Sequence, residues 1–146
     1  MWTVVSILWG LVLMKNNIND TILELKLQDF AVGNDIVFVP DFSISFTELF
    51  QRKVYTLKEI EYCERFDQPL LRYASTWAAK EAVYKAVKQL YQQPLAFKNI
   101  EITRSKIAGI PRVTLPDGFP DLEISLSITH DGDYACAIAI VKKRYD

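Results

Sequence analysis

Residues 77–86 read WAAKEAVYKA, and the reading of this stretch decides the rest of the chain. At 100° per residue, Ala78, Ala82, Val83, Ala86, Val87 and Leu90 fall on one apolar stripe, which predicts a helix packed on a core. Trp77, Glu81, Lys85 and Lys88 line the adjoining face. Glu81 and Lys85 stand four residues apart in the favourable order for a surface ion pair worth roughly 0.2–0.5 kcal/mol. The alanines offer a second reading. They let another backbone or a ligand come close, and a carboxylate and an amine held on such a surface suit a metal and a phosphate.

Working outward, the helix is predicted over residues 69–91, opened by Asp67-Gln68-Pro69 and ended before Pro94. Upstream, Thr56-Leu57-Lys58-Glu59 fits a capping box, so a shorter helix runs from Leu57 to about Arg65, and FTELFQRK at 46–53 reads as another. Residues 21–30 (TILELKLQDF) and 31–39 (AVGNDIVFV) read as strand segments, the second broken by Pro40. Gly33 marks a bulge or a close backbone approach. Beyond Pro94, the segments 100–104, 111–115, 122–128 and 134–141 are rich in β-branched residues. Ala108-Gly109, Pro116-Asp117-Gly118 and Asp131-Gly132-Asp133 separate them with turn chemistry. A helical middle followed by antiparallel strands predicts an α+β fold, an antiparallel sheet on one long and several short helices.

The 146 residues suit one domain, and the apolar half of the composition suffices for a core. A net charge of −1 gives no general pull toward nucleic acid, so anion binding must come from a local cluster. Cys63 and Cys136 lie far apart without a CxxC pattern, which points to reduced packing residues in a cytoplasmic protein and away from a structural zinc site. The uncharged run at 2–14, WTVVSILWGLVLM, is too short to span a bilayer and lacks the basic start of a secretory signal, so no stable membrane insertion is expected. It reads as an extra buried or partner-bound element, a membrane-surface segment, or an upstream translation artefact with Met14 as the true start, the last being favoured.

Two further positions stand out. Asp35 is the sole charge between Phe30 and Pro40, either a second metal carboxylate beside Glu81 or a turn residue bonding its own backbone. His130, the single histidine, follows Ser127 and Thr129 at a strand end. It is either a satisfied structural group or a donor to a phosphate or sugar hydroxyl.

In order along the chain, GNDIV (33–37), WAAKEAVYKA (77–86), LAFKNIEITR (95–104) and SLSITHDGDYACAIAIV (125–141) resemble the blocks of the holo-[acyl-carrier-protein] synthases, the small 4′-phosphopantetheinyl transferases. The resemblance spans about 31–142, and KEAxxKA is its most specific block. It implies transfer of 4′-phosphopantetheine from coenzyme A to a serine of an apo acyl carrier protein, in lipid or fatty acid biosynthesis, with adenosine 3′,5′-bisphosphate released. It further implies Mg2+ on Asp35 and Glu81, Lys85 facing the coenzyme A phosphates, Lys80 toward the 3′-phosphate or adenine end, and His130 with Ser127 by the nucleotide. A homotrimer with active sites between subunits is implied too. Residues 29–146 would form the transferase domain and 1–28 an N-terminal extension.

Some positions depart from the family pattern. Phe38 stands where an acidic residue is usual, and Asp41 where an arginine that meets the carrier is usual. Either carrier docking falls to other residues, such as Arg52, Lys53 and Arg72, or the carrier is atypical. A non-catalytic coenzyme A-binding module, or a structural subunit of a synthase assembly, is the rival reading.

Overall fold

The computed structural model describes residues 30–104 and 109–144. The expected extension at 1–28, with its apolar run, and the strand expected at 21–30, apart from Phe30, lie outside the described residues. Strand β1 (Phe30–Phe38) pairs antiparallel with β5 (Tyr134–Lys143), which pairs antiparallel with β4 (Leu122–Asp131), giving the order β1-β5-β4. The register joins Asp131 to Tyr134 across Gly132-Asp133. Gly132 has φ 53°, the left-handed conformation that a two-residue hairpin loop of this kind requires. Strands β2 (Glu101–Arg104) and β3 (Pro111–Thr114) form a separate two-stranded sheet. The fold is α+β as expected, with the strands divided between two sheets.

The helices are α1 (Val39–Ser45), α2 (Glu48–Val54), α3 (Leu57–Cys63) and α4 (Pro69–Leu90), and a 3-10 turn covers Phe97–Asn99. Pro40 ends β1, as expected, but does so by opening α1, which the sequence reading left out. Proline is well placed in a first helical turn because its missing N–H would be unpaired there anyway. The capping box at Thr56 and Glu59 forms in full, with both reciprocal bonds made. Thr47 caps α2 by accepting from the Phe50 amide at 3.1 Å.

Helix α4 lies across the three-stranded sheet. Alternation sends Ala31, Gly33, Asp35 and Val37 of β1 toward the helix, with Ala135, Ala137, Ala139 and Val141 of β5 beside them. The helix answers with Ala78, Ala82 and Ala86, all fully buried. At Gly33 the approach is so close that a Cβ would collide with the Ala82 carbonyl oxygen and stand 2.7 Å from the Ala86 amide nitrogen. The β1–β5 register runs through Gly33 without a break, so this glycine serves close approach and no bulge. Aromatic rings close the other flank. Phe46 and Phe50 reach across to α4, with Phe46–Tyr73 centroids at 4.6 Å and Phe50–Trp77 at 5.2 Å.

Candidate active site

The close contact at Gly33 places Asp35, two residues along the same face of β1, against the turn of α4 that carries Glu81 and Lys85. Lys85 Nζ donates to Asp35 Oδ1 at 2.7 Å and to the Asn34 carbonyl at 3.1 Å. The Glu81 carboxyl lies within hydrogen-bonding reach of Asp35. Burial, then the bond to Asp35, then the Asp35 charge push the Glu81 carboxyl up to about 7, with Lys85 opposing. Lys85 is raised as well: its bond to Asp35 holds its ammonium above the usual lysine range.

Both carboxyl groups line a cleft of about 530 Å³ whose walls include Phe38, Asp41, Phe50 and Trp77. Lys85 and Asp35 also line a neighbouring cleft of about 400 Å³ with Cys136. Among the described residues no group of three or more His, Cys, Asp and Glu gathers. A pair of carboxylates with open space around it fits a hard cation whose remaining ligands are substrate oxygens and water. With the Glu81 carboxyl raised to about 7, such a cation would compete with a proton for the pair.

Lys80 has a different fate. Its side chain is fully buried, and Nζ bonds the carbonyls of Val54 (2.8 Å), Phe97 (3.0 Å) and Ile100 (2.7 Å) and Glu59 Oε2 (2.7 Å). A lysine ammonium has three hydrogens, so these acceptors exhaust it. The expectation that Lys80 meets the nucleotide is corrected on that ground: it ties α4 to α2, α3 and the start of β2. Burial pushes the Lys80 ammonium down and the Glu59 carboxyl up, each opposed by its partner.

His130 and Ser127 are not brought together. Residues alternate across β4, so His130 shares the helix side with Ile128, while Ser127 is exposed on the outer face. His130 lines a cavity of about 250 Å³ with Arg72, Arg104, Ser75 and Tyr62, apart from the carboxyl pair. Arg104 is held there by the Tyr62 ring, 4.5 Å from its guanidinium carbon, and by the Thr76 hydroxyl at 3.3 Å. Sequence reading missed Arg104, although an arginine ending the strand segment IEITR was a signal. Arg72, one of the residues expected to serve carrier docking, stacks over Phe66 at 4.1 Å and lines this cavity.

This geometry has close counterparts among known proteins. Residues 31–139 match the model of the 4'-phosphopantetheinyl transferase superfamily. The chain is 37% identical over 120 residues to the holo-[acyl-carrier-protein] synthase of Wolbachia pipientis subsp. Culex pipiens, covering 77% of this chain and 96% of that protein. It is 34% identical over 120 residues to the Aquifex aeolicus synthase, covering 77% and 98%. Among solved structures, the Chronobacterium ammoniagenes ACPS-CoA complex superimposes with a TM-score of 0.67 at 28% identity, covering 80% of this chain and 98% of that one. The Helicobacter pylori synthase in complex with coenzyme A gives 0.66 at 28% identity, covering 76% and 99%. The chain therefore belongs to the 4′-phosphopantetheinyl transferase superfamily, and within it to the holo-[acyl-carrier-protein] synthases.

Proposed function

We propose that this chain transfers 4′-phosphopantetheine from coenzyme A to a serine of an apo acyl carrier protein, releasing adenosine 3′,5′-bisphosphate. The observation that carries the reading is the Asp35–Glu81 carboxyl pair with Lys85 bonded to it, in a chain of the synthase family. Displacement at phosphorus leaves little covalent work to the protein, and positioning with charge neutralisation does most of it. The attacking hydroxyl comes with the carrier, so the chain needs no nucleophile of its own.

Asp35 and Glu81 are the residues that would hold Mg2+. Bound there, Mg2+ would offset charge on the pyrophosphate oxygens of coenzyme A. The chain's own groups act around it. Lys85 keeps a fixed positive charge one helical turn from Glu81, within reach of the same pyrophosphate. Trp77 and Phe50 form part of the apolar wall of the cleft. Glu81, whose carboxyl is raised to about 7, would hold such a cation in competition with a proton.

The cationic cavity of Arg72, Arg104 and His130 suits the phosphates of the nucleotide end. It lies apart from the carboxyl pair on one chain, which supports a site drawn from two chains of a homotrimer. The outer face of the sheet favours the same arrangement. Val32, Ile36, Ile138 and Ile140 are 48%, 63%, 52% and 47% exposed there, on paired strands. We assign that face to contacts between copies. Ser127 lies on it and stands at the edge of such a contact, which is the only route by which it could meet a nucleotide.

Phe38 and Asp41 line the cleft that the carrier serine must enter, so they sit where carrier choice is made. Arg52 and Lys53 are exposed on α2 as further docking candidates. Cys63 and Cys136 are free thiols, which suits a reducing cytoplasmic setting. Among the described residues no helix is long and apolar enough to cross a membrane.

The test is the intact mass of an apo carrier protein incubated with this chain, coenzyme A and Mg2+, beside Glu81→Gln. A phosphopantetheine mass gain that requires Mg2+ and is lost in the variant is expected. No gain with several carriers, while coenzyme A still binds, would replace this reading with the non-catalytic module.

A further inference from the structure

We propose that Glu59 is a positioning residue for the metal carboxylate, acting through Lys80 to aim Glu81 at Asp35. The inference rests on the metal-site reading above. Glu59 is 2% exposed and lies on α3, outside the cleft. Its Oε1 accepts the Ile102 amide at 2.7 Å. Its Oε2 accepts the Thr56 amide at 2.8 Å and the Lys80 ammonium at 2.7 Å. One carboxylate thus locks the start of α3 to β2 and both to α4.

Lys80 is the residue before Glu81 on α4. Fixing the Lys80 side chain therefore fixes the rotation of the helix at the point where Glu81 leaves it. The opposite side of the same turn is set by the contact of Gly33 with Ala82 and Ala86. Between these two constraints the helix can neither roll nor withdraw from β1, and Glu81 is held at Asp35. A metal site needs its ligands held closely by the groups behind them, and a fully bonded buried network supplies that rigidity.

The experiment is Mn2+ binding followed by electron paramagnetic resonance on the full chain, beside transfer assays over a range of Mg2+. Wild type binds Mn2+, and Glu81→Gln abolishes it. Glu59→Gln keeps the volume but puts an amide N–H where a donor must be accepted. It should weaken Mn2+ binding about 10- to 100-fold and raise the half-saturating Mg2+ concentration alike. The KM for coenzyme A should change little. Unchanged Mn2+ affinity in a folded Glu59→Gln protein would overturn the positioning role and leave the metal reading intact. Absence of Mn2+ binding by wild type would overturn both.

Because Glu59→Gln could fail to fold, the double variant Glu59→Leu/Lys80→Met is measured as well. It replaces the buried pair with apolar side chains of similar size, an exchange that buried ion pairs often tolerate. Weakened Mn2+ binding in this folded double variant supports the proposal, and wild-type affinity overturns it. If neither variant folds, the pair holds the domain as a whole, and a specific positioning role falls.

Discussion

Lys80 and Lys85 stand one and a half turns apart on the same helix, and each meets a carboxylate at 2.7 Å. Around Lys80 every polar atom has a partner, and the side chain is 0% exposed. Around Lys85 the account does not close. The Lys85 side chain is 49% exposed, and burial together with the neighbouring Asp35 raises the Glu81 carboxyl despite Lys85. A finished cluster has nothing to offer a ligand. An unfinished one, with like charges side by side and space beside them, has a standing gain to collect from a cation. The contrast separates structural charge from functional charge better than residue type does.

The largest effect should come from the contact both clusters depend on. Gly33→Ala drives a methyl group into the Ala82 carbonyl, and backbone on both sides leaves no flexible atom to yield. We expect a loss above about 4 kcal/mol, read as a collapsed denaturant midpoint. A midpoint within error of wild type would mean that helix and strand can part freely, and the comparison would lose its frame.

Next comes Lys80→Met. It strands the Glu59 carboxylate and three carbonyls in a dry interior, and breaking a buried pair by removing one partner costs roughly 3–5 kcal/mol. Adding Glu59→Leu should recover only the part owed to the stranded carboxylate, because the three carbonyls stay unpaired and the Ile102 and Thr56 amides lose their acceptor. A single variant as stable as wild type would show that Lys80 is no more structural than Lys85.

The sequence made some of this contrast legible. Asp35 as a lone charge in an apolar strand, and the small residues of the KEA helix, left a carboxylate pair as one of two readings, and the fold brings Asp35 and Glu81 together. The α4 limits followed from periodicity and flanking prolines. Lys80 was misread because three of its partners are carbonyls from two distant segments, at Val54 and at 97–100, and carbonyls leave no trace in a residue pattern. Glu59 was seen only as a cap, since its second duty depends on β2 arriving beside α3. Arg72, Arg104 and His130 come from three separate stretches, so only tertiary packing assembles them. The parting of Ser127 from His130 was legible in principle: on a strand, an odd separation in number means opposite faces.

A third effect is smaller and has a sign. In the metal-free protein the Glu81 carboxyl is raised from the ordinary 4.5 to about 7. The folded state therefore holds a proton that the unfolded chain has lost over that window. The stabilisation is complete below about 4.5 and is lost as pH rises through about 7. Discounted for solvent screening of a half-buried group, it is on the order of 1 kcal/mol. Melting of the metal-free protein should thus come earlier at pH 8 than at pH 5. Mg2+ should restore more at pH 8, where no proton opposes it. A melting temperature that rises across this window without metal would deny the raised Glu81 carboxyl.

The smallest change in stability is expected at Lys85, and it is the sharpest test of the contrast. Lys85→Met removes a half-exposed ion pair, which is worth about 0–1 kcal/mol. It also removes the cation that favours ionisation of the Glu81 carboxyl, so that carboxyl should titrate still higher and the apparent Mg2+ requirement should rise. Loss of a fixed charge at the developing phosphate charge should slow transfer by about 10²–10³-fold. Lys80→Met and Lys85→Met then diverge in stability: the first melts far earlier, while the second loses rate in a protein that melts almost where wild type does. If Lys85→Met instead lowers stability as much as Lys80→Met and leaves the transfer rate alone, Lys85 is part of the scaffold. The exposed cluster would then be an ordinary surface pair on an alanine-rich helix.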